Sequence, residues 1–210
     1  MSLFIILFVV TMAYISTTSR FDAYVKILQA QGILLFCMVL AESAGMEKGT
    51  VVFLLIETLF FKTLVIPWFL NRILRKNSGF REVKPNIPHL YSLMVCSLFM
   101  VFGFVIAVLL MRNYLSIKPL YFGVSVSTIM TGFFIILTRK QLFSHVVGYM
   151  MMENGIFLLS LSVAADMPFV VNAGVLLDIF VALYVLGLFS VKIQTALEES
   201  SIDMLTDLKD

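Results

Sequence analysis

The side chains best placed to carry chemistry in this sequence lie inside apolar runs. Glu153 and Asn154 stand together in "HVVGYMMMENGIFLLSL" (145–161), Asp178 in "GVLLDIFVALYVLGL" (174–188), and Glu57 and Lys62 in "IETLFFKTLVIPWFL" (56–70). A charged group at the centre of a bilayer costs about 2.5–3.5 kcal/mol on insertion scales, so residues kept there face protein or water and often mark ion paths. Burial disfavours the charged form of a carboxyl group, which suits a proton carrier. Glu153 is therefore the first candidate for a proton pathway, set against a plain structural hydrogen bond. His145, Tyr149 and Glu153 follow at i, i+4 and i+8 and share one helix face, a polar column from the helix end to its middle. Asn154 points about 100° away, where its amide would bond a neighbouring helix.

Asp178, half-way along its run, is a second carboxylate candidate; the alternative is a helix-start position satisfied by water. Glu57 and Lys62 are five residues apart, which on a straight α-helix is about 140° of rotation. They are expected not to pair within one helix and to face different neighbours. Pro67 has no N–H and should leave the carbonyl of Thr63 without its helical partner. A kink and a freed carbonyl near Lys62 would make an ion-handling site, and a buried lysine can carry protons. For Glu57 the alternative is a place at the membrane interface. His145 is a proton-uptake candidate or an interfacial residue, and Lys26 is a pathway residue or a side chain that snorkels to the surface.

The elements that must position these residues are membrane helices. The chain has 210 residues, 60% hydrophobic and 13% charged, with a mean hydropathy of +1.01. Soluble domains are about 45–50% apolar and about 25% charged. About seven all-α transmembrane segments are legible, near 3–16, 23–40, 51–70, 91–111, 120–137, 142–164 and 169–193. Each is close to the roughly 20 residues that cross the hydrocarbon core, the first being short. The first segment lacks a basic leader and a small-residue cleavage site, and is read as a retained helix. Arg20, Arg72, Arg75, Lys76, Arg81, Lys84, Arg139 and Lys140 fall in alternate loops, which predicts an outside N-terminus and a cytoplasmic C-terminus. The tail "LEESSIDMLTDLKD" is an acidic, amphipathic cytoplasmic arm or docking segment.

Two units are expected: residues 1–114, four helices with a basic loop at 71–90, and residues 115–210, three helices with the acidic tail. Arg20, Tyr24 and Lys26 start the second helix much as Arg139, Phe143 and His145 start the sixth, a faint parallel repeat of a three-helix unit. The net charge of +2, with no basic patch interleaved with aromatics, speaks against nucleic acid. Cys37 and Cys96 sit singly in apolar runs and read as buried thiols, and "GYMMMENG" as flexible packing. No Walker loop, hydrolytic triad, haem or iron–sulfur pattern occurs, so the sequence predicts no cofactor of its own.

The stretch "TRKQLFSHVVGYMMMENGIFLLSL" resembles the E-type membrane subunit of hydrogenase-4, a complex I-related group 4 nickel–iron hydrogenase. The resemblance takes in "KTLVIP", the GYxxxENG motif, the aspartate and lysine–isoleucine pair of "DIFVALYVLGLFSVKI", and the tail "DMLTDLK". The last three helices are also similar to the K subunit of complex I and the C subunit of multisubunit cation/proton antiporters. Those proteins carry a basic turn, here Arg139–Lys140, then a glycine (Gly148), a glutamate and an asparagine (Asn154). Their first glutamate falls two residues after the glycine, where this chain has Met150; the carboxylate here is Glu153, and the second is Asp178 rather than glutamate.

The resemblance implies a non-catalytic membrane-arm subunit, in the inner membrane of a prokaryote, that couples electron transfer to proton or sodium movement. Its implied partners are antiporter-like and other membrane-arm subunits, with nickel–iron hydrogenase and iron–sulfur subunits in a peripheral arm. Glu153 would be the central carrier, Asp178 a second site, and Lys62 and Glu57 the links to neighbours. The alternatives are a structural spacer in that arm and a subunit of a cation/proton antiporter without a redox arm.

Overall fold

The computed structural model describes residues 2–43, 48–76, 87–111, 118–139 and 141–163. Asp178, the seventh expected helix and the acidic tail lie outside the described residues. The described elements are α1 (Ser2–Thr17), α2 (Phe21–Glu42), α3 (Lys48–Ile56), a π-helical segment (Glu57–Val65), α4 (Ile66–Lys76), α5 (His89–Met111), α6 (Pro119–Thr138) and α7 (Leu142–Val163). Among the described residues there is no β-strand. Five helices are long and apolar enough to cross a membrane, namely α2, the run Lys48–Arg72, α5, α6 and α7; α1 is shorter. The all-helical class is thus as the sequence predicts.

The distribution of residues is that of a protein solvated by lipid. Leu3, Ile6 and Val10 on α1, Phe60 and Trp68 on the third span, and Leu98, Val101 and Val108 on α5 are exposed, while Gln31, Thr58, Ser125, Ser127, Thr128 and Thr131 are buried. In water such an apolar exterior would drive association. In a bilayer, apolar contact between helices brings no advantage over contact with lipid, and helices meet instead through small residues and cross-helix hydrogen bonds. The chain is a multi-pass membrane protein by this criterion.

The inward face of α6 follows that rule. The Ser127 hydroxyl lies between two carbonyls, Gly123 of its own helix at 2.7 Å and Phe99 of α5 at 3.0 Å, and its one hydrogen is shared between them. Gly132 and Gly148 lie back to back across α6 and α7: a Cβ on Gly132 would stand 2.6 Å from the Gly148 carbonyl oxygen, and one on Gly148 2.7 Å from the Gly132 oxygen. Only glycine permits this approach, and it sets α7 tightly against α6.

α2 is the hub, packing against α1, α3, the π segment, α4 and α7. The turn before α2 and the turn before α7 lie at one end of the bundle. Phe21 and Phe143 stack edge to face with centroids 4.7 Å apart, and the Arg139 guanidinium donates to the Ser16 carbonyl at 3.2 Å. Ser16 lies in the last turn of α1, so a cation there answers both the open carbonyls and the negative end of the helix dipole. At the opposite end Lys118 pairs with Glu42, tying the start of α6 to the end of α2.

Candidate functional site

The third span departs from the straight helix that the sequence predicts. Over Glu57–Val65 the backbone takes a π register, in which bonds run to the fifth residue back; the Ile66 N–H, for instance, meets the Phe61 carbonyl. A wider turn brings residues five apart toward one face. Glu57, Thr58, Lys62 and Thr63 are buried together, while Leu59, Phe60 and Leu64 point out. Two threonine hydroxyls brace the segment, Thr58 donating to the Leu54 carbonyl at 2.8 Å and Thr63 to the Thr58 carbonyl at 2.9 Å.

This register corrects one expectation. Glu57 and Lys62 do approach within one span, at 3.8 Å, because the five-residue period replaces the rotation of about 140° that an α-helix would impose. Pro67 follows directly, at the second residue of α4, and brings no N–H to the junction of the two registers.

Lys62 is the centre of the site. Its Nζ lies 3.1 Å from Glu153 Oε1 on α7, 3.4 Å from Asn154 Oδ1 and 5.2 Å from the centroid of Phe157. The aromatic face adds a cation–π contact. Lys62, Glu57 and Glu153 are 4%, 2% and 4% exposed. Hydrogen bonds to the remaining atoms help repay the desolvation of so deeply buried an ion pair. Asn154 supplies one and in turn donates to Gln31 Oε1 on α2 at 3.0 Å. Gln31 donates to Thr11 Oγ1 on α1 at 3.3 Å, and Thr11 donates to the Phe8 carbonyl at 2.6 Å. Glu153 Oε2 is buried and makes no hydrogen bond among the described residues.

Glu153, Asn154, Gln31 and Lys62 each lie near the middle of their spans, so the cluster sits at the depth where charge is most costly. Gly32 makes the assembly possible. A Cβ there would lie 3.0 Å from the Lys62 carbonyl carbon, 3.1 Å from its oxygen and 2.9 Å from Thr63 Oγ1. The bare Cα of Gly32 lets α2 press against the backbone of Lys62.

The other sequence candidates among the described residues lie on α7 and α2. His145 and Tyr149 are half-buried on the face that leads to Glu153, and the Nε2 of His145 is 2.6 Å from the Arg139 carbonyl oxygen. Lys26 is exposed. Gln31 and Thr11 escaped the sequence reading, although a glutamine beside a glycine in mid-span ("QAQGILL") is the composition of a close helix contact. Among the described residues no group of three His, Cys, Asp or Glu is placed to hold a metal.

The chain is 24% identical to the uncharacterised protein Rv0085 of Mycobacterium tuberculosis over 196 residues, 90% of this chain and 86% of that one. No family model matches the chain, and no solved structure matches it.

Proposed function

We propose that this chain is a membrane-arm subunit of a complex I-related nickel–iron hydrogenase, of the hydrogenase-4 or formate hydrogenlyase type, in a prokaryotic inner membrane. It carries no catalytic centre and contributes titratable groups to proton or cation translocation coupled to electron transfer. The observation that supports this most is the Lys62 ammonium held between two buried carboxylates, 3.1 Å from Glu153 and 3.8 Å from Glu57. A displacement of a fraction of an ångström exchanges its stronger partner. Any change of charge on a neighbouring helix or subunit then biases the exchange, and proton gain or loss at either carboxylate follows. Asp178 is a second site in this reading, His145 and Lys26 are uptake positions, and the basic loops face the cytoplasm.

A structural reading competes on one observation. The chain from Lys62 through Asn154 and Gln31 to Thr11 ties the third span, α7, α2 and α1 together. A spacer subunit would use such a network to fix its shape.

The test is mass spectrometry of the proteins that co-purify with the chain in mild detergent. Nickel–iron hydrogenase and iron–sulfur subunits among them would support the proposal. Antiporter-like subunits without redox proteins would replace it with a cation/proton antiporter subunit.

A further inference from the structure

The network beside Lys62 has a direction. Thr11 has one hydroxyl hydrogen and gives it to the Phe8 carbonyl, so Thr11 Oγ1 can only accept from Gln31. Gln31 must then present its NH2 to α1 and its carbonyl oxygen to α7. That oxygen takes the NH2 of Asn154, which turns the Asn154 oxygen toward Lys62. Every link has its donor on the lysine side and its acceptor on the Phe8 side. An ammonium is a donor only, so the chain ends in an acceptor that suits Lys62.

Asn154 follows Glu153 on α7. Its oxygen therefore gives the lysine a second acceptor on α7, whereas the competing carboxylate of Glu57 belongs to the lysine's own span. We propose that Thr11 and Gln31 are positioning residues: by fixing the direction of the amide chain from α1 and α2, they hold Lys62 against Glu153 rather than Glu57. Without the Thr11 hydroxyl, the Gln31 amide is free to turn over. Asn154 then turns with it, presents its NH2 to the ammonium, and Lys62 moves to Glu57. The consequence for ion movement rests on the function proposed above, whereas the position of the lysine is measured by itself.

The experiment uses the full chain in lipid bilayers, with 15Nζ-lysine and 13Cδ-glutamate, and measures nitrogen–carbon dipolar couplings by solid-state NMR. Lys62→Met, Glu153→Gln and Glu57→Gln assign the signals. Thr11→Val keeps the side-chain shape and removes the hydroxyl; Thr11→Ser keeps the hydroxyl and removes a methyl group. The expected result is a wild-type contact ratio in Thr11→Ser. In Thr11→Val and Gln31→Leu the ratio of Glu153 to Glu57 contact falls about fivefold, the population change that one net hydrogen bond of ordinary strength controls. A packing role gives the reverse order, with Thr11→Ser disturbed and Thr11→Val unaffected, and that result overturns the proposal. Should Gln31→Leu fail to fold, the two Thr11 variants decide the matter. Absence of redox partners in the co-purification would count against the membrane-arm reading and leave this ratio unchanged.

Discussion

Replacing Lys62 by methionine removes the ammonium and keeps most of the apolar stem. Two carboxylates, 2% and 4% exposed, then lose the cation between them. At an effective dielectric of about 20, unit charges attract by about 5 kcal/mol at the 3.1 Å of Glu153 and about 4 kcal/mol at the 3.8 Å of Glu57. Desolvation offsets much of this attraction in the wild type, but the variant keeps the buried carboxylates and loses the attraction. The expected loss of stability is about 3–5 kcal/mol, the range for breaking one side of a buried pair. Glu153→Gln should cost less, about 2 kcal/mol, because the ammonium still has Glu57 and the Asn154 oxygen. In the double variant the two losses should overlap, with a coupling energy of about 1–3 kcal/mol. The assay is reversible unfolding in mixed micelles, followed by helical circular dichroism, for the wild type, both single variants and the double. Strict additivity, within about 0.5 kcal/mol, would refute the pairing of Lys62 with Glu153.

Three further outcomes are expected. Gly32→Ala places a methyl group against the Lys62 carbonyl, which is backbone and yields little; it should destabilise by about 1–3 kcal/mol and lengthen the Lys62–Glu153 distance, read by the same NMR couplings. Gly132→Ala meets the Gly148 carbonyl at 2.6 Å and should separate α6 from α7 at a cost of about 1–3 kcal/mol or more, visible as a lowered unfolding midpoint. Arg139→Leu removes the cation from the end of α1, which should cost about 1–2 kcal/mol and speed amide exchange in the last turn of α1 in hydrogen-exchange mass spectrometry.

Much of the architecture was legible because lipid imposes a simple demand. Every span must be long, apolar and internally hydrogen-bonded, so the helices and their approximate ends follow from hydropathy. The choice of Glu153, Asn154 and Lys62 followed from the cost of burying charge, and these residues lie together. The π register was harder to find because periodicity was measured against 3.6 residues per turn. Yet "ETLFFKT" places polar residues at positions 57, 58, 62 and 63 around an apolar triplet, a five-residue repeat that only the wider helix turns to one side. Gln31 was missed for another reason. An uncharged amide in an apolar run costs less than a carboxylate and signals itself only through the glycine beside it. The pairing of α7 with the third span joins residues 91 apart in sequence, and no local pattern encodes that.

The most direct measurement of the proposed function is ion movement by the proposed complex in sealed membrane vesicles carrying Glu153→Gln, with assembly followed by native electrophoresis. Because Glu57 and Asn154 still hold Lys62, the proposal predicts a complex that assembles and passes electrons while translocation is lost. Undiminished translocation in an assembled Glu153→Gln complex would contradict the role given to the carboxylate, and failure to assemble would assign the buried pair to architecture alone.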